Sequence, residues 1–177
     1  MGKTKEALIE AGRAAFAAKG YEGANVREIG EAAGANPSLI IRYFGSKAGF
    51  FEACFTGRID LGPGLKTVNR SLFPNMLADW LCGKPEAAHL RQSLSAMGKS
   101  SGAEEVSGIV RRLLQDEFET PLAMWLGGKA RQEPAASILA LALGACLARN
   151  ELGTEGASTL RFERVLASAL KQMAAQF

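Results

Sequence analysis

The sequence lacks a long apolar run, and that absence narrows the possibilities first. The longest near-apolar stretch, AASILALALGACLA, spans 135–148. This is well short of the ~20 residues a bilayer-spanning helix needs, so it reads as a buried helix and no membrane partner is expected. The N-terminus, MGKTKEALIEAG, has no apolar core followed by a cleavage site, which favours a cytoplasmic location. Histidine is nearly missing. His89 stands alone, with no neighbour to build a zinc site. Cysteine is scarce: Cys54, Cys82 and Cys146 are odd in number and far apart, which argues against a disulfide framework and fits a reducing compartment. Neither metal nor cofactor is expected. An excess of one charge is also lacking. Net charge is +3, and residues 1–56 hold seven Lys/Arg against six Asp/Glu. Bulk charge therefore makes no case for nucleic acid, and any such case rests on where the charges sit.

Strand signals are almost absent too, while 3.6-residue periodicity recurs throughout, so the fold class is all-α. A first helix is expected from about Lys5 to Lys19, with Leu8, Ile9, Gly12, Ala15 and Phe16 on one side. Gly20 sits where a left-handed cap belongs, and Tyr21 can pack back over it. Asn25 caps a second helix that begins near Val26, and Glu28 stands at capping-box spacing. That helix stops at Gly34. Asn36 and Pro37 open a third over 37–44, and Ser46 caps a fourth from Lys47 to about Ile59. Three short helices with a tight AAGAN turn (32–36) make a helix-turn-helix pattern. Further helical segments follow between Gly/Pro-rich punctuation. One lies at 65–81, interrupted at Pro74, and one at 85–97. Another spans 103–126 with a break before Pro121, and the last two cover 134–152 and 158–175.

The segment NPSLIIRYFGSK (36–47) carries the functional argument. On a helical wheel at about 100° per residue, Ile40 and Phe44 face the first two helices with Tyr43 beside them. Ser38, Leu39 and Arg42 point the other way, and Ile41 lies at one edge. Surface aliphatics are common and need no purpose. These, however, have neighbours suited to a duplex. Leu39 and Ile41 can meet thymine methyls while Arg42 reaches a base edge or phosphate. The hydroxyls of Ser38 and Tyr43 can bond phosphate oxygens, and Lys47 and Asn25 stand at helix starts that attract anions.

The stretch ANVREIGEAAGANPSLIIRYFGSKAGFFEACF (24–55) resembles the DNA-binding segment of TetR/AcrR-type transcriptional regulators. Val26, Arg27, Ile29, Ala33, Gly34, Tyr43, Phe44, Ser46 and Lys47 match its motif in order. Gly30 departs from the usual alanine, at a helix-propensity cost of ~1 kcal/mol. Ile41 stands where many relatives have a DNA-touching tyrosine. The resemblance implies an N-terminal three-helix helix-turn-helix domain (1–58) and a C-terminal helical ligand-binding and dimerisation domain (59–177). It implies DNA contacts from Asn25, Arg27, Asn36, Pro37, Ser38, Leu39, Ile41, Arg42, Tyr43 and Lys47. The partners expected are a palindromic double-stranded operator, a second copy of the chain and a small-molecule inducer. The second copy would pair through helices 134–152 and 158–175. The former is apolar nearly all round, with Ala142, Gly144, Ala145 and Cys146 allowing close approach. The latter carries Phe162, Val165, Leu166, Ala169, Leu170 and Met173 as a stripe. Trp80, His89, Met97, Phe118, Met124 and Trp125 are candidates to line a pocket for an apolar or aromatic inducer.

Two other readings are weighed. GKSSG (98–102) fits the G-x-S-x-G pattern with Ser100 as nucleophile, but that motif works on a strand-to-helix elbow, and here it reads as a flexible connection. An interaction module that does not bind DNA is suggested by Glu22, Glu28, Glu31 and Glu52. It predicts no salt-dependent affinity for DNA. The expected function is a non-enzymatic, dimeric, ligand-released transcriptional regulator.

Overall fold

A computed structural model describes residues 2–59, 61, 65–82, 84–151 and 159–175, without the side chains of 150, 151, 159–163, 174 and 175. Among the described residues the fold is all-α, with no strand. The helices are α1 (Lys3–Gly23), α2 (Val26–Ala32), α3 (Ser38–Phe44), α4 (Lys47–Phe55) and α5 (Phe73–Cys82). They continue with α6 (Ala88–Ser100), α7 (Glu104–Leu114), α8 (Thr120–Leu126), α9 (Gln132–Glu151) and α10 (Thr159–Ala175).

Helix α1 is regular to Lys19 and then breaks at Gly20, whose φ of 69° and ψ of −177° only glycine adopts cheaply. A last short piece carries Tyr21 back onto Phe16, ring centroids 6.2 Å apart, and edge-on to Phe51 at 5.7 Å. The break leaves backbone groups without helical partners inside the protein, where each needs one. Helix α6 supplies them. The Lys99 ammonium donates to the carbonyls of Ala17 (3.0 Å) and Ala18 (2.8 Å), and the Tyr21 N–H donates to Ser100 Oγ at 3.0 Å. The expected flexible GKSSG connection is thus corrected. Gly98–Ser100 form the last turn of α6, and Ser100 is fully buried.

The turn between α2 and α3 follows local capping chemistry. Asn25 Oδ1 accepts the Arg27 N–H at 2.8 Å, and Asn36 Oδ1 accepts the Ser38 N–H at 3.0 Å. Glu28 departs from the expected capping box, because its carboxylate pairs with Lys19 at 2.6 Å. Gly34, at φ 61°, ends the turn. Gly30 is not a defect. A Cβ there would lie 2.7–2.9 Å from the ring and backbone of Pro37, so glycine is what lets α2 pack on the start of α3. Ser46 Oγ caps α4 by accepting the Gly49 N–H at 2.9 Å. The helix stops at Phe55 rather than Ile59, and Gly57 follows with φ 72°.

The core is continuous along the chain. Phe16, Ile29, Ile40, Phe50, Phe51 and Phe55 are fully buried, and the same cluster runs on through Leu77, Leu94, Met97, Phe118, Leu122, Leu139 and Leu170. Each such Phe or Leu stabilises the fold by ~1.5–3 kcal/mol. Between α7 and α8 the expected break before Pro121 is replaced by a π-helical turn over Gln115–Glu119, in which the Thr120 N–H reaches the Gln115 carbonyl. A proline has no N–H to donate; the wider turn just before it keeps the chain helical through this point. That turn aims Glu117 at the end of α4. Its two carboxylate oxygens accept the N–H groups of Gly57 (2.7 Å) and Ile59 (3.2 Å), and its carbonyl accepts the Leu61 N–H at 3.0 Å.

Candidate nucleic-acid interface

Helix α3 packs on α2 and α4 and buries Ile40 completely. Phe44 is half-buried, 4.9 Å from Phe50. What remains outward is Ser38, Ile41, Arg42 and Tyr43, with Ile41 49% and Tyr43 42% exposed. Leu39 differs from the helical-wheel expectation: it is partly buried against the core. The wheel assigns α3 one inner face, whereas α3 touches helices on two sides. Pro37 is likewise half-buried, beneath α2.

The starts of α2 and α3 meet. Asn25, Val26, Arg27, Pro37, Ser38 and Ile41 line one open concavity, so residues ten or more apart in sequence share a surface. Asn25 and Asn36 spend their side-chain oxygens on capping and keep their amide nitrogens as donors. Lys47 sits close by but is not free-standing: its ammonium lies 4.4 Å above the Tyr21 ring, a cation–π contact that orients the charge. The sequence reading misses Lys5. Its ammonium lies 5.2 Å from the Phe44 ring, beside the end of α3, and only the fold places the first turn of α1 there. Two of the four acidic residues that weighed against DNA are neutralised, Glu28 by Lys19 and Glu52 by Arg112.

This surface can do three things chemically. It offers an apolar edge, a guanidinium and several neutral donors at two converging helix starts, which is the inventory for groove and backbone contacts on a duplex.

Residues 8–54 match the family model of bacterial regulatory proteins, tetR family. This segment of the chain is a tetR-family domain. No curated protein matches the sequence. Among solved structures, a Rhodococcus sp. protein assigned to the TetR transcriptional regulators is similar over 98% of this chain and 100% of its own, with a TM-score of 0.70 and 22% identity. A transcriptional regulator from Rhodococcus sp. Rha1 is similar over 97% and 94%, with a TM-score of 0.65 and 22% identity. NalD, the secondary repressor of the MexAB-OprM multidrug efflux pump in Pseudomonas aeruginosa, is similar over 97% and 96%, at 0.67 and 17%. At such identities these likenesses show that the TetR fold extends over nearly the whole chain.

Two apolar features lie in the C-terminal part of this TetR fold. A cavity of about 260 Å³ is lined by Arg58, Ile59, Leu61, Leu65, Trp80, Glu86, Ala87, His89 and Leu90. Of the expected pocket residues, Trp80 and His89 reach it. Met97 and Phe118 are instead fully buried core, because α6 and the π-helical turn over Gln115–Glu119 direct those side chains inward. Met124 is 57% exposed, and Trp125 packs on Phe73 at 4.9 Å with the Arg70 guanidinium over its ring. Arg58, which the sequence reading does not single out, is the guanidinium of the cavity, which Glu86 also lines. Burial, then the charge of Arg58, lowers the pKa of His89. The second feature is an apolar groove of about 270 Å³ between α9 and α10, lined by Ala140, Leu141, Gly144, Ala145, Ala148, Val165, Leu166 and Ala169. Val165 is 62% exposed there. Of the expected dimer residues, Ala142 and Cys146 turn inward and Gly144 outward; Phe162 lies outside the described side chains.

The candidate nucleophile of the hydrolase reading is unsuited to attack. Ser100 Oγ is buried and already accepts the Tyr21 N–H. Cys54 and Cys146 are buried as well, which pushes each thiol up to about 12. Among the described residues no group of His, Cys, Asp and Glu could hold a metal ion, and no helix is long and apolar enough to cross a membrane.

Proposed function

We propose that this chain is a homodimeric DNA-binding regulator acting as a repressor, which a small molecule releases from a palindromic operator. Residues 1–58 serve as the DNA-binding part and 59–177 as the ligand and dimerisation part. The observation that carries this reading is the outward set Ser38, Ile41, Arg42 and Tyr43 on α3, joined in one concavity to Asn25 and Arg27. Helix α3 enters the major groove with Ile41 toward thymine methyls and Arg42 toward a base edge. Asn25, Arg27, Asn36, Ser38, Tyr43 and Lys47 hold the phosphates. Pro37 and Leu39 position α3 from beneath.

Dimerisation uses the exposed groove of α9 and α10. An apolar strip that small residues open to a neighbouring helix favours burial against a second copy, and a two-fold axis then sets two α3 helices ~34–36 Å apart, one helical turn of DNA. Repression is supported by the likeness to NalD, itself a repressor. Selection of bound fragments from random duplex DNA with the purified chain tests the proposal. An enriched inverted repeat with that half-site spacing is expected; a pool that stays random would overturn it in favour of an interaction module.

A further inference from the structure

The cavity under the end of α4 contains a mismatch between its apolar walls and the half-buried guanidinium of Arg58. Ile59, Leu61, Leu65 and Leu90 are almost fully buried and make an apolar lining, with Trp80 half-buried beside them. Into this lining comes the half-buried side chain of Arg58, whose Nε is buried and has no hydrogen-bond partner among the described residues. A buried donor without a partner costs ~1–3 kcal/mol, more when charged, and such groups are rare in native proteins unless something binds them. Burial, and next the charge of Arg13, lowers the Arg58 pKa, the direction expected for a cation short of a counter-charge.

The position of Arg58 is not accidental to a flexible loop. Glu117 accepts the N–H groups of Gly57 and Ile59, the two residues flanking it, so the backbone on both sides is pinned from the π-helical turn. Those acceptances occupy both carboxylate oxygens of Glu117. On the open side, Glu86 and His89 are exposed. A ligand bearing a second negative charge would meet Glu86. The volume, about 260 Å³, lies just under the ~300–1,000 Å³ of drug-sized sites, which limits the occupant to a small molecule.

We propose that this cavity binds a small apolar monocarboxylate, its carboxylate bonded to Arg58 and its body against Ile59, Leu65, Trp80 and Leu90. As the effector site it rests on the regulator reading above; as a binding site it does not. Carboxylate on guanidinium is a charge-assisted contact about twice as strong as a neutral one, and it supplies the acceptor that Nε lacks. Because Arg58 lies three residues past the end of α4, the ligand bonds to the segment that joins the cavity to the helices under α3.

The test is titration of the free protein, without DNA, with benzoate, its neutral isostere benzamide and the dianion phenyl phosphate. Calorimetry reads the natural chain. Quenching of Trp80 in a Trp125→Phe background reads the cavity itself. Benzoate is expected to bind about tenfold tighter than benzamide, a difference of ~1.4 kcal/mol, with phenyl phosphate weaker than benzoate. Arg58→Met should remove the preference while benzamide binding persists, and Arg58→Lys should keep part of it. Equal affinity for benzoate and benzamide, a preference that survives Arg58→Met, or no saturable benzoate signal at millimolar concentration would each overturn the proposal. Benzoate binding by a chain that selects no duplex would instead keep the site and remove the regulator.

Discussion

Helices α3 and α6 invert the usual rule in opposite directions. In α3 an isoleucine and a tyrosine stay nearly half exposed while the helix is already anchored by Ile40 and Phe44. In α6 three serines are buried: Ser93 bonds the His89 carbonyl of its own helix, Ser95 lies 3.4 Å from the Ala17 carbonyl, and Ser100 receives the Tyr21 N–H. Exposed apolar side chains need no purpose by themselves, but beside Ser38 and Arg42 they fit the duplex-facing surface proposed above. Burying a hydroxyl has a cost, and here the return is internal, because Ser95, Ser100 and Lys99 satisfy the broken end of α1. On the proposed function, the same hydropathy mismatch marks a surface for another molecule in one helix; in the other it marks a joint of the fold.

Substitutions that separate stability from DNA affinity sharpen this contrast. The largest effect belongs to Gly20→Ala. It forces a glycine-only backbone and brings a Cβ 3.1 Å from the Lys99 carbonyl, so stability should fall toward the upper end of ~1–3 kcal/mol in urea denaturation. Ser100→Ala comes next. The buried Tyr21 N–H loses its acceptor, costing ~1–3 kcal/mol of stability, while the DNA affinity of the remaining folded protein is unchanged. If Ser100→Ala leaves the denaturation midpoint in place, the joint between α1 and α6 is not what those serines serve.

On α3 the pattern reverses. Arg42→Ala should leave stability within ~0.5 kcal/mol, yet cost ~1–3 kcal/mol in binding to the selected duplex and relax discrimination at one position, measured by competition. Equal loss on every sequence would reassign Arg42 to the phosphates. The smallest effect is that of Lys47→Ala, a uniform weakening that reduces the slope of log affinity against log salt by about one.

How much of this was legible beforehand depends on how local the chemistry is. Asn25, Gly34 and Ser46 cap or end helices through groups one to three residues away, so their residue types announce them. Ile40 and Phe44 follow from a simple period. Ser100 and Lys99 act on residues 79 or more positions away in the chain, and nothing in GKSSG betrays that it is the turn closing α1. Gly30 is similar: read alone it looks like a weak helix residue, and only the approach of Pro37 explains it. For the candidate site, Arg42 and Ile41 were readable from the wheel, but Leu39 was misplaced because α3 has neighbours on two sides. In the cavity, Trp80 and His89 stand out in the sequence as large or polarisable types. Arg58 escaped because a lone arginine after a helix looks like surface until its Nε is found buried.

The central claim is that the outward face of α3, with the starts of α2 and α4, is the surface that meets DNA. Amide hydrogen exchange of the chain, free and bound to its selected duplex, tests it most directly. Slowed exchange concentrated in residues 25–28 and 36–47, with α9 and α10 unaltered, is the predicted result. Protection that falls elsewhere and leaves 36–47 unchanged would contradict it.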